Sequence, residues 1–231
     1  MNMTTLETTD SAVLTRLLQE RRSCRGFLDR PVPRPVVEQI LDLARLSPSW
    51  CNTQPWHVLV TDGAGTERFR KALSAQAAAE EMTPDFAFPA RYAGVYQKRR
   101  RECGVQLYDS VGVARGDREA SAKQAARNFQ LFGAPHTAIV TTTADLGAYG
   151  AIDCGLYVQT FLLAAQSLGL GAIPQAALAA HSSFIREHFA LPTDRLVVCG
   201  ISFGYPDLEH AANGFRTTRA DLTETFDWVD R

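Results

Sequence analysis

A helix without a polar face is hard for a chain of modest size to accommodate, and this sequence carries one. Residues 153–168 read DCGLYVQTFLLAAQSL, with Asp153 placed to cap the N-terminus and Gly169 to stop the helix. Apolar residues fall on nearly every side between them, so this helix belongs in the middle of a molecule. The rest of the chain must wrap it. At 231 residues and 45% hydrophobic content, one sizeable domain can be built around such a helix.

The wrapping elements are legible as patterns. Asp10 caps a helix over about residues 11–22, with Val13, Leu14, Leu17 and Leu18 on one stripe. Pro35 suits the first turn of a second helix whose Val36, Val37, Ile40, Leu41 and Ala44 face inward, and which must stop near Ser47–Pro48. Strands are expected at 56–61, 136–143 and 195–206, with a shorter one in GLGAIPQ. Further helices are expected at 66–82, 93–108, 117–132 and 182–189. Helices dominate and β-branched strands recur between them. The expectation is one α+β domain over residues 1–231, ending in a polar extension at about 207–231.

Composition removes several classes of function. The net charge is −1, so the chain as a whole is not built to hold nucleic acid or an anionic membrane. Five cysteines are scattered singly, which argues against a disulfide framework or a zinc site. No apolar run reaches the ~18 residues of a membrane span. The N-terminus lacks a signal pattern, and a cytoplasmic protein is expected.

Three places carry chemistry. The segment 47–58, SPSWCNTQPWHV, packs two prolines, two tryptophans and two carboxamides into a loop too rigid and too aromatic for an ordinary surface. Arginines cluster in RRSCR (21–25), RRR (99–101) and FRTTR (215–219). The middle cluster reads as a solvated helix face. The outer two flank turns, where guanidinium forks with a serine hydroxyl suit an anion such as phosphate. GLGAIPQAA lets a flat ring approach the backbone; alone it reads equally as a tight strand-to-helix turn. Other signals are weaker. Cys51 with His57 lacks an ordering acid, His181 and His188 lack zincin spacing, and GAG at 63–65 is no dinucleotide fingerprint.

In order along the chain, RRSCRGF, SPSWCNTQPWHVLV, FGAPH, GAIDCGLYVQTFLLAAQSLGLGAIPQAAL, VVCGISFGYPD and NGFRTTRADL resemble the FMN-dependent nitroreductase family over nearly the whole length. The resemblance implies a central, mostly antiparallel sheet wrapped by helices and an intertwined homodimer with FMN in clefts at the interface. It implies that Arg21 is a phosphate arginine, with Arg22 and Ser23 as its backbone and hydroxyl neighbours, and that Arg25 lies by the pyrimidine edge, N1–C2=O. Ser49, Asn52 and Gln54 would bond the ribityl-phosphate side of the partner's FMN, with Pro48 and Trp50 bracing the loop. Pro174, Gln175, Ala176 and Ala177 would run against the isoalloxazine, a backbone N–H there pointing at N5. Arg216 and Arg219 would close on the phosphate. Ala176 and Ala177 depart from members that carry an acidic residue and glycine, and 216–219 lacks the lysine some members use.

The same resemblance makes 82–116 a variable region shaping the substrate mouth, with Asp85, Phe86, Phe88, Tyr92 and Tyr96 as its lining. The implied activity is electron transfer from NAD(P)H through flavin N5 to a nitroaromatic, quinone or similar small-molecule acceptor, by a ping-pong cycle without a catalytic side chain. The alternatives are a reductive dehalogenase, an ene-type reductase or flavin fragmentation on the same scaffold, or a flavin-binding protein without turnover.

Overall fold

The computed structural model describes residues 9–79 and 81–230; what the sequence led us to expect of residues 1–8, Glu80 and Arg231 lies outside them. Four strands form one antiparallel sheet: β1 (His57–Thr61), β2 (His136–Thr143), β3 (Gly171–Gln175) and β4 (Arg195–Gly204), in the order β1-β2-β4-β3. The β-branched run of β2 is buried almost throughout, which suits a central strand covered on both faces. Its pairing with β4 slips between Val140 and Thr141, where a bulge lets Thr141 face Val197.

Helices cover both faces. They are α1 (Asp10–Glu20), α2 (Arg34–Ala44), α3 (Gly63–Ala79), α4 (Gly94–Ser110), α5 (Arg118–Ala126), α6 (Gly147–Ser167), α7 (Ala176–Ala179) and α8 (Ser182–His188). On one face Ile40 and Ala44 of α2 and Tyr157, Phe161 and Ala165 of α6 pack with Ala138, Val140, Ile201 and Phe203. On the other, Phe69 and Leu73 of α3 and Ile185 of α8 pack with Ile139 and Val197. The alternation of Ala138, Ile139 and Val140 between the two clusters is the period-two rule of a strand. Among the described residues no helix is long and apolar enough to cross a membrane.

Several boundaries differ from expectation. Thr9, rather than Asp10, caps α1, its hydroxyl accepting from Ala12 N at 3.3 Å. The helix predicted over 117–132 is capped by Asp117, whose side chain accepts from Ala120 N, but ends at Ala126. Beyond it, Leu131, Phe132 and Gly133 take positive φ values of 55°, 52° and 78°, which no helix can contain. Helix α6 begins at Gly147, so Asp153 is a buried residue inside it and not its cap. Its carboxylate accepts from Trp50 N at 3.2 and 3.3 Å, serving the 47–56 loop instead.

The wrapping of α6 is also incomplete. Tyr149, Ile152 and Leu156 are 56%, 57% and 43% exposed and fall on one helical stripe. The apolar stripe of α1 is exposed as well, at Val13, Leu14 and Leu18. Each helix has an apolar face left open among the described residues.

Candidate functional site

The first arginine segment leaves α1 at Arg21 and runs beside β3. Ser23 bridges in parallel to Ala172, and Cys24 N donates to the Ala172 carbonyl at 3.1 Å. The second segment is drawn to it by Asn213, a buried carboxamide. Its Oδ1 accepts from Arg25 N at 2.7 Å, and its Nδ2 donates to the carbonyls of Gly26 and Asp207, each at 2.8 Å. Asn213 thus uses its whole side chain to staple 25–26 to 207–213, and this sets Arg216 and Arg219 opposite Arg21–Arg25. Sequence reasoning passed over Asn213; the signal was an asparagine directly before the GFRTTR run.

Between the two segments lies a cavity of about 740 Å³ lined by Arg21, Arg22, Ser23, Arg25, Arg216 and Arg219, with Gln159 of α6, Cys103 of α4, Phe215 and Thr217 also in its wall. Among the described residues no carboxylate lines it. The guanidiniums act on one another: burial, and then the charge of Arg219, makes Arg21 hold its proton less tightly than usual. Burial, and then the charge of Arg22, does the same to Arg216. Burial depresses Arg25 too. Arg22 Nε is buried without a hydrogen-bond partner. Crowded cations with no counter-ion among the described residues favour an anion between them.

A second cavity of about 490 Å³ continues from the first, sharing Cys103, Thr217 and Arg219, between α4 and the 217–225 segment. Arg99 reaches across to Glu224 at 3.0 Å, and Arg100 lies 5.0 Å from the centre of the Tyr92 ring. The RRR cluster is therefore only in part the solvated face expected of it: Arg99 ties the C-terminal segment to α4.

The 48–54 loop and the 174–177 turn do not line the arginine cavity. In the loop, a 3-10 turn at Trp50–Asn52 puts Cys51, Asn52 and Gln54 at positive φ of 51°, 55° and 48°. Ser49 Oγ holds the turn by accepting from Gln54 N at 2.9 Å, and Trp50 meets the Tyr149 ring edge-on at 4.3 Å. The side chains of Trp50, Asn52 and Gln54 lie exposed on the rim next to the open stripe of α6. In the turn, Ala176 is exposed and Pro174 and Ala177 half-buried, whereas Gln175 points inward.

Of the residues proposed for the substrate mouth, Phe88, Tyr92 and Tyr96 are exposed and Phe86 is half-buried. Asp85 does different work. Its carboxylate pairs with Arg186 at 2.5 Å and accepts from Val197 N at 2.7 Å, so it pins the 82–90 segment to α8 and β4.

Comparison with known proteins decides the family. The profile of the Nitroreductase family matches residues 18–205. The chain belongs to the nitroreductase family. Among characterised relatives, this nitroreductase is 37% identical over 211 residues to nitroreductase NfnB of Mycolicibacterium smegmatis, covering 91% of this chain and 90% of that protein. It is 33% identical over 203 residues to 4-nitrobenzoate reductase of Pseudomonas putida, covering 88% and 89%. Among solved structures, the FMN-dependent NfnB of Mycobacterium smegmatis in complex with NADPH superposes with a TM-score of 0.91 at 35% identity, covering 95% of this chain and 99% of that one. The nitroreductase fold expected from the motifs is thus the fold observed.

Proposed function

We propose that this nitroreductase binds FMN without a covalent bond and uses NAD(P)H to reduce nitroaromatic compounds. The observation that carries the reading is the cavity with five arginines and, among the described residues, no carboxylate, a donor set that suits a phosphate monoester. In this reading Arg21, Arg22, Ser23, Arg216 and Arg219 hold the phosphate, and the unpaired Nε of Arg22 gains an acceptor. Arg25 sits deeper in the wall, beside the electron-accepting edge of the ring. Pro174 to Ala177 back the ring. FMN, when bound, supplies a two-electron carrier between NAD(P)H and the acceptor, in a ping-pong cycle that takes quinones as well. The protein's part is to bind, orient and tune; no side chain acts as acid or base.

The reading includes a homodimer in the cytoplasm. The open stripes of α1 and α6 and the exposed Trp50 are the apolar surface that a second copy covers, and Pro48, Ser49, Trp50, Asn52 and Gln54 then reach the partner's cofactor. Phe86, Phe88, Tyr92 and Tyr96 form the acceptor's entrance. The M. smegmatis relative is described as FMN-dependent and was solved with NADPH, and the P. putida relative is a 4-nitrobenzoate reductase, which supports both halves of the reaction.

The test is direct. The purified protein should be yellow, release FMN on denaturation and oxidise NAD(P)H when 4-nitrobenzoate is added. A colourless protein that takes up no added FMN ends the reading. A yellow protein without turnover makes it a flavin-binding protein instead.

A further inference from the structure

One buried side chain holds the turn after β3 from inside the protein. Gln175 is 2% exposed, yet both ends of its carboxamide are used. Oε1 accepts from the Ser202 hydroxyl at 2.5 Å, while Nε2 donates to the Asn128 backbone carbonyl at 2.9 Å and to Asn128 Oδ1 at 3.3 Å. The sheet register sets up the first contact. Ile173 pairs with Ser202 and Gln175 with Gly200, so Gln175 and Ser202 are diagonal neighbours on one face.

The left-handed turn at 131–133 sets up the second contact. The Asn128 carbonyl that receives Gln175 also receives Leu131 N at 3.0 Å, the residue where the positive-φ run begins. A third restraint comes from Leu178 of α7, which lies so close over the sheet that a Cβ on Gly200 would stand 2.3 Å from its Cδ2. The neighbouring cluster of Leu131, Ile139, Leu178 and Val197 is apolar, so filling space does not call for a glutamine here. A fully bonded amide in such a place specifies position, because any shift of the turn breaks bonds that water cannot replace.

We propose that Gln175 is a positioning residue: through Ser202 and Asn128 it fixes the Pro174–Ala177 turn against the cofactor ring, while its own side chain stays out of contact with the ring. The inference rests on the FMN reading above. Removing the carboxamide leaves the arginine cavity intact and frees only the turn. Misplacement by about 1 Å at a reacting centre costs on the order of a hundredfold in rate, so the effect belongs in turnover more than in affinity.

The experiment uses the full-length, FMN-loaded protein with Gln175→Leu, Ser202→Ala and the double variant. Leucine keeps the volume and removes the bonds. FMN affinity should stay near that of the parent, and kcat should fall by about ten- to a hundredfold with KM for the donor changed less. The flavin absorption maximum and reduction potential should also move. Ser202→Ala should shift both in the same direction, and the double variant should add little to Gln175→Leu, since the residues act as one unit. If Gln175→Leu does not fold, Ser202→Ala carries the same readouts with the loss of a single hydroxyl. Variants that lose only thermal stability, with spectrum, potential and kcat per bound FMN unchanged, would overturn the positioning role. A parent protein that binds no FMN would overturn the proposed function and this inference with it, and the two failures are told apart by the parent alone.

Discussion

Arg21 and Arg219, from opposite ends of the chain, face each other across one cavity, and the charge of Arg219 adds to burial in lowering the proton affinity of Arg21. Folding alone leaves this repulsion unrelieved. In the reading proposed above, the phosphate of FMN relieves it.

The first prediction follows from that pairing. Arg21→Ala or Arg219→Ala should weaken FMN binding by about 30- to several-thousand-fold, since truncating one partner of a desolvated charged hydrogen bond costs roughly 2–5 kcal/mol. The same substitutions should leave the FMN-free protein as stable as before or slightly more so. Fluorescence titration with FMN and thermal unfolding without it measure the two halves. FMN at a hundredfold excess over its Kd should stabilise the parent by about 2.7 kcal/mol, and much less in the variants.

Arg25 makes an electronic prediction. Its half-buried guanidinium donates to the Ser23 carbonyl at 3.4 Å and lies 6.0 Å from the centre of the Phe215 ring, and in the proposed reading its charge faces the ring edge. Arg25→Gln should keep a hydrogen-bond donor and lose the charge. A loss of ~1.4 kcal/mol in differential stabilisation lowers a two-electron potential by ~30 mV. A redox titration of both FMN-loaded proteins against a reference dye reads this shift; coincident potentials would remove Arg25 from the ring.

His136 predicts a pH dependence. The buried ring accepts from Val32 N at Nε2 (2.8 Å) and faces the Thr61 carbonyl through Nδ1 at 3.2 Å, an arrangement only the neutral ring can satisfy. Burial lowers its pKa, opposed by the Thr61 carbonyl and Asp62. The unfolded chain therefore binds a proton, below its ordinary value of 6.5, that the folded chain does not. Stability should be full above that pH and fall as pH drops toward the depressed folded value. Urea unfolding at pH 7.5 and 5.5 checks this, and His136→Gln, which keeps an acceptor that does not titrate, should flatten the slope.

Asp85 predicts a structural loss. Asp85→Ala strands the part-buried Arg186 guanidinium and the Val197 N–H, and leaving such groups without their acceptor costs about 1–3 kcal/mol. Asp85→Asn keeps an acceptor for Val197 and should cost less. Denaturant midpoints order the three proteins.

The open stripes predict an assembly. Ile152→Glu places a charge in the middle of the exposed α6 face, and an obligate interface of above ~2,000 Å² does not tolerate it. Sedimentation should show the parent as a dimer and the variant as a monomer that retains FMN poorly. A parent that sediments as an FMN-loaded monomer would refute the dimer.

Local residue patterns located the four strands and most of the helices around them, the short α7 excepted, because alternation and 3.6-residue spacing are local properties of the chain. The arginine pairs and the 47–58 loop were legible for a similar reason: guanidinium forks, paired prolines and carboxamides are costly residues to cluster without a ligand. What lay beyond the sequence were the contacts between distant segments. Asn213 as the staple that closes the cavity, Asp153 as the acceptor for Trp50, Asp85 as an anchor instead of a mouth residue, and Gln175 as an inward brace each depend on a partner tens of residues away or more. A buried polar side chain is defined by the partner that satisfies it, and only the tertiary structure chooses that partner.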